Sequence, residues 1–179
     1  IGGVDDESLK AMDELVDEGI TSFKLFMAYP GVFFSDDGQI LRAMQTAADN
    51  GSLMMMHAEN GIAIDVLVAQ ALARGDTDPR FHGTTRPWET EEEATHRAIM
   101  LAKLAGAPLY VVHMSAHQAV AAVARARDEG WKKVMADERM QPDKDNMPFD
   151  GQRMFWGGFA PIVDTAARAT TPKAEPAQV

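Results

Sequence analysis

Ser22-Phe23-Lys24-Leu25-Phe26-Met27-Ala28-Tyr29 is an apolar run broken by a single lysine, and its flanks decide how it folds. Upstream, residues 6–18 repeat apolar side chains at Leu9, Met12, Leu15 and Val16, the period of an amphipathic helix, and Gly19 ends it. Residues 20–28 have almost no polar interruption, which predicts a strand buried on both faces. Downstream, Tyr29-Pro30-Gly31 reads as a turn. Ser35 or Asp36 caps a second helix over residues 37–50, closed by Gly51. The unit recurs. Leu53-Met54-Met55-Met56-His57-Ala58-Glu59-Asn60 reads as a strand that runs into a helix over 59–74. Leu109-Tyr110-Val111-Val112-His113-Met114-Ser115 reads as a strand followed by a helix ending at Gly130. Between them lie a polar loop over 76–87 and a helix over 90–105, opened by Thr90-Glu91-Glu92-Glu93. Lys133 to Met135 reads as the start of one more strand.

Strands alternating with helices predict a parallel α/β sheet. A (β/α)8 barrel of about 250 residues spends about 31 residues per unit. Lys24 and His57 are 33 positions apart, one unit, and His57 and His113 are 56 apart, one unit plus the inserted loop and helix. The expected fold is therefore a partial TIM-type barrel, about half of the full circle, over residues 1–134. Residues 135–179 change character, becoming charged and aperiodic and then rich in Ala, Thr and Pro, and are expected to form an irregular or disordered tail. The opening Ile1-Gly2-Gly3-Val4 lacks an initiator Met, and the chain is expected to be an internal piece of a larger fold.

Bulk composition excludes several function classes. The 179 residues carry a formal net charge of −10, which disfavours nucleic-acid partners. No apolar run reaches membrane-spanning length, so no membrane partner is expected. There is no cysteine, hence no disulfide, thiolate nucleophile or Cys-type zinc site, in keeping with a cytoplasmic protein.

Lys24, His57 and His113 each lie in or at the end of a strand. In parallel α/β folds the C-terminal strand ends form the reactive face. Neutral imidazole is a zinc ligand. A buried lysine beside dications has its pKa depressed, and its neutral amine can add carbon dioxide to become an anionic, two-oxygen donor. Taken singly, Lys24 reads equally well as an outward-pointing edge-strand lysine, and each histidine as a hydrogen-bonded core or loop residue. Their joint placement at strand ends is what points to a metal site. Tyr29 alone reads as a buried aromatic. Glu59 and Asn60 read as helix-start or site residues, and Met54, Met55 and Met56 as core. The acidic run 89–93 reads as a solvated helix start.

The segment Ser22-Phe23-Lys24-Leu25-Phe26-Met27-Ala28-Tyr29-Pro30-Gly31, with His57-Ala58-Glu59-Asn60-Gly61 and Val112-His113-Met114-Ser115-Ala116, resembles three successive motifs of the dihydropyrimidinases and D-hydantoinases, cyclic amidases of the amidohydrolase superfamily. The resemblance covers about residues 1–134. It implies zinc-dependent ring opening of a dihydropyrimidine or hydantoin by a metal-bridging hydroxide. It further implies two Zn2+ per complete subunit, bridged by a carboxylated Lys24, with His57 and His113 completing one metal's set. Tyr29 would hydrogen-bond the developing oxyanion. The partner would be a small cyclic amide or ureide, and the full-length form a homotetramer. Allantoinase, dihydroorotase and non-catalytic relatives of dihydropyrimidinase are the alternatives. The family's His-x-His pair and late aspartate have no counterpart in this sequence, and Met135-Ala136-Asp137-Glu138-Arg139 departs from its Glu-Thr-Cys segment. The isolated chain is accordingly expected to be inactive.

Overall fold

The computed structural model describes residues 3–138. Helix α1 (Asp6–Asp17) starts at a reciprocal cap. The Asp5 carboxylate accepts the Ser8 N–H at 2.8 Å, and the Ser8 hydroxyl oxygen accepts the Asp5 N–H at 2.9 Å. The same device, with Asp36 and Gln39, opens α2 (Asp37–Asn50). Gly51, in the left-handed region at φ 76°, closes it. The Asp36 cap and the Gly51 stop stand where the sequence predicts them; the Asp5–Ser8 cap has no counterpart in the sequence reading. Between the two helices runs β1 (Ser22–Phe26), followed by β2 (Leu53–His57), α3 (Gly61–Ala73), the short α4 (Phe81–Thr84), α5 (Trp88–Ala105), β3 (Leu109–Met114), α6 (His117–Asp128) and β4 (Val134–Glu138).

The four strands form one parallel sheet in the order β1-β2-β3-β4. Sequential parallel strands with helical crossovers are the arrangement of a barrel segment, as the alternation predicts. One face of the sheet is covered. Phe23, Leu25, Met54, Met56, Leu109, Val111 and Val134 on the strands join Ile40, Met44, Ala98, Ile99, Ala122 and Val123 on the helices in a single core. Alanines at 94, 98 and 102 on α5 and at 119, 122 and 126 on α6 are all buried, and their small side chains let these helices pack closely.

The structure differs from the sequence reading in four places. Strand β1 stops at Phe26, because the Met27 and Ala28 backbone turns away to meet β2 and α3: the Met27 N–H donates to the His57 carbonyl, and the Gly61 N–H to the Met27 carbonyl. The polar loop contains α4. Met55 leaves the core and shares the opposite face with Lys24, its register partner, while Met54 and Met56 are fully buried. β4 runs past position 134, and the expected tail beyond residue 138 lies outside the described residues.

Candidate metal centre

Strand parity sorts the candidate residues. Lys24 is in register with Met55 and Phe26 with His57, so Lys24, Phe26, Met55 and His57 share the face opposite the helices. Lys24 sits two residues before the level of His57, about 6–7 Å along the strand. Its Nζ lies 4.8 Å from the centre of the Phe26 ring, and that ring stacks on the His57 imidazole at 5.5 Å. Phe26 thus touches both.

His113 reaches the same face by an irregularity. Regular alternation from Val111 would send His113 into the core and Met114 out of it. Instead the β3–β4 register slips between Val111 and Met114, Met114 is buried, and His113 takes a left-handed φ of 40°. The result is direct contact: His57 Nδ1 and His113 Nε2 are 2.9 Å apart. Tyr29 joins from the turn after β1, its ring 5.1 Å from the His57 ring; it is exposed and not the buried aromatic its sequence suggests, because the turn carries it past the end of the sheet. Its carbonyl accepts the N–H groups of Val32, Phe33 and Phe34 at 3.0 to 3.2 Å, holding φ at 63°. Among the described residues, Tyr29 and His113 are the non-glycine residues with positive φ. Such conformations cost about 1–3 kcal/mol each and cluster at functional sites.

Three charged residues complete the site: Glu59, which reads from the sequence as either a helix-start or a site residue, and Arg86 and Glu91, which do not read as site residues. The Glu59 Oε2 lies 2.6 Å from His57 Nε2. Burial pushes the Glu59 carboxyl up, but the hydrogen bond from His57 and the charges of His57, Arg86 and His113 outweigh it and hold it below its ordinary 4.5. Arg86, from the stretch after α4, acts electrostatically on both Glu59 and Tyr29. Glu91 on α5 holds the turn after His113: its Oε1 accepts the Ser115 N–H at 2.7 Å and its Oε2 the Ala116 N–H at 3.1 Å. The N-terminus of α6 has no cap from its own Ala116, so Glu91 caps it across helices. The acidic run is therefore not simply solvated. Glu93, too, has partners, Asn60 at 2.8 Å and Arg97 at 2.9 Å. The His-x-Glu spacing was the readable sign of Glu59; nothing local announces a cap made by a residue 24 positions away.

Two expectations follow. Glu91→Ala is expected to lower unfolding free energy by about 1–3 kcal/mol, the worth of a helix cap made by a charged acceptor, read as a lower urea midpoint. Glu89→Ala, two positions earlier, should change it by less than about 0.5 kcal/mol. The Tyr29 phenol is pushed above its ordinary 10.0, first by burial and then by the Glu59 charge. It therefore stays a neutral donor through the whole neutral range. Sign is fixed by the direction: any stability this phenol contributes is full below pH 10 and falls as pH rises through its folded pKa. Ultraviolet titration of Tyr29→Phe should lose an ionisation step above pH 10.

Metal fit rests on the donor set. Two imidazole nitrogens on one tetrahedral zinc, with bonds of about 2.0–2.1 Å, stand about 3.3 Å apart. The observed 2.9 Å needs an opening of a few tenths of an ångström. Among the described residues no group of three or more His, Cys, Asp or Glu is arranged to hold a metal. Lys24 lies on the same face, in register with Met55.

Known proteins share this arrangement of sequence and fold. The chain is 74% identical over 130 residues to a D-hydantoinase of Streptomyces coelicolor, a match covering 73% of this chain and 28% of that one. It is 50% identical over 164 residues to a D-hydantoinase of Geobacillus stearothermophilus, covering 87% of this chain and 34% of that one. The crystal structure of dihydropyrimidinase from Brevibacillus agri superimposes with a TM-score of 0.73 at 47% identity, over 76% of this chain and 30% of the other. No family model matches. The chain spans about a third or less of the length of these relatives.

Proposed function

We propose, for a chain that is a relative of the D-hydantoinases and dihydropyrimidinases over its barrel segment, that its site serves zinc-dependent hydrolysis of a cyclic amide, the ring opening of a hydantoin or dihydropyrimidine. The observation that carries this reading is the meeting of His57 Nδ1 and His113 Nε2 at 2.9 Å on the face that also bears Lys24. His57 and His113 would hold zinc through those two nitrogens. Lys24 would add carbon dioxide at Nζ, losing one proton, and offer the resulting carbamate oxygens as anionic ligands. When bound, the metal supplies Lewis acidity and lowers the pKa of water.

The chain's own residues account for the rest. Tyr29, kept neutral, donates its phenolic proton in a hydrogen bond to the amide oxygen as that oxygen gains charge. Phe26, Phe33 and Tyr29 form a contiguous aromatic wall beside His57, of which Tyr29 and Phe33 remain exposed. Glu91 keeps the His113 turn from relaxing. A His-x-His pair and an aspartate, which the resemblance calls for, are missing from this sequence. The 179-residue chain alone is therefore expected to bind metal without turnover. A homotetramer and a cytoplasmic location belong to the same proposal, checked by sizing and by cell fractionation.

The test transplants the segment. Residues matching the Streptomyces coelicolor D-hydantoinase over 130 positions replace their counterparts in that enzyme. The chimera is expected to open hydantoin, and His57→Ala within it to lose at least about 100-fold in kcat/KM. A folded, zinc-loaded chimera that leaves hydantoin and dihydrouracil intact would overturn the proposal.

A further inference from the structure

We infer that Glu59 is a positioning residue for His57, fixing that ring as its Nε2–H tautomer and leaving Nδ1 bare toward His113. The purpose assigned to this arrangement rests on the metal reading above; the hydrogen-bond chain itself does not.

His57 is buried, 7% exposed, so its ring nitrogens depend on protein partners. Each has one. Nε2 faces Glu59 Oε2 at 2.6 Å and Nδ1 faces His113 Nε2 at 2.9 Å. An ionised carboxylate accepts hydrogen bonds and cannot donate them. The short bond to Glu59 is therefore donated by His57 Nε2–H. In the neutral imidazole the other nitrogen then carries a lone pair. The bond between the rings must be donated by His113 Nε2–H into that lone pair. One carboxylate at the end of the row sets the proton order along all of it.

The surroundings leave Glu59 available for this. The start of α3 is capped by Asn60, whose Oδ1 accepts the Ala63 N–H at 3.0 Å, so a helix-cap role is already filled. Phe26 and Tyr29 pack against the His57 ring, 5.5 and 5.1 Å from it. The lone pair a metal would need on His57 is thus in place beforehand. Only His113 has to move its proton to the other nitrogen. Carboxylates that orient a ligating imidazole in this way commonly change metal affinity by 10–100-fold when removed.

The experiment uses the 15N-labelled 179-residue chain, stripped of metal with chelator and held at pH 8, above the ordinary imidazole range of about 6.5. Long-range proton–nitrogen correlation spectra read which ring nitrogen is protonated. The expected result is a protonated Nε2 and a bare Nδ1 on His57. Glu59→Gln, whose amide can both donate and accept, should mix the two tautomers. It should also weaken zinc binding, measured by chelator competition, by about 10–100-fold, without altering the circular dichroism spectrum. A wild-type His57 protonated at Nδ1 overturns the assignment. So does a folded Glu59→Gln chain with unchanged tautomer and unchanged zinc affinity. If Glu59→Gln does not fold, the wild-type spectrum decides alone. An Nε2–H tautomer in a chain that takes up no zinc supports the role of Glu59 and counts against the amidohydrolase reading.

Discussion

Gly61→Ala is expected to cost about 3 kcal/mol of stability, near the upper range for overpacking a tight contact. A Cβ there would stand 2.6 Å from the Ala28 Cα and 3.1 Å from both the Ala28 carbonyl carbon and the Met27 oxygen. All three are backbone atoms, so no side chain can swing aside to make room. The Gly61 N–H also donates to the Met27 carbonyl at 3.1 Å, tying α3 directly to the chain leaving β1. That chain leads to Tyr29, and the other end of the contact leads back through Glu59 to His57. Pushing α3 away therefore loosens both sides of the site. The control is Gly38→Ala in α2. Its Cβ would meet one atom, the Asp36 cap oxygen at 3.3 Å, and no backbone, so a shift of a few tenths of an ångström accommodates it; in the first turn of α2 the exchange is expected to change stability by less than about 1 kcal/mol. Urea unfolding followed by circular dichroism separates the two. Equal midpoints for the Gly61 and Gly38 variants would show that the Ala28 contact is not the constraint described.

The second large effect is expected at the imidazole pair. Structural zinc sites of four ligands bind with about 10–16 kcal/mol, roughly 3 kcal/mol per ligand, which is more than 100-fold in affinity. His57→Ala and His113→Ala should each weaken zinc binding by at least that factor. The double variant should fall little further, since one imidazole alone makes a poor site. His117→Ala is the matched control. His117 starts α6, four residues beyond His113, and should leave zinc affinity unchanged. Chelator competition measures all four.

The fold was readable because the strands announce themselves. Phe23, Leu25, Met54, Met56, Leu109 and Val111 lie in apolar runs too short for helices, and glycines or caps bound each helix between them. Asp36 opens α2, and Gly51 and Gly106 close α2 and α5, where local chemistry favours those residues. The site was legible only in part. His57 ends a regular strand, so its face follows from parity. His113 does not: a one-residue register slip turns it from core to site, and no residue in Val111-Val112-His113-Met114 demands that slip. Met55 was misread because an unbroken apolar run suggests burial on both faces, whereas strand parity turns Met55 to the face of Lys24, away from the helices. Glu91 and Arg86 are long-range participants, brought in by the packing of α5 and the path after α4, which periodicity alone does not encode.

Zinc-edge X-ray absorption on the metal-loaded 179-residue chain addresses the metal centre directly. The expected first shell holds two imidazole nitrogens at about 2.0–2.1 Å, with the imidazole scattering gone in the H57A/H113A double variant. A first shell without imidazole, or one that the double variant leaves unchanged, would contradict it.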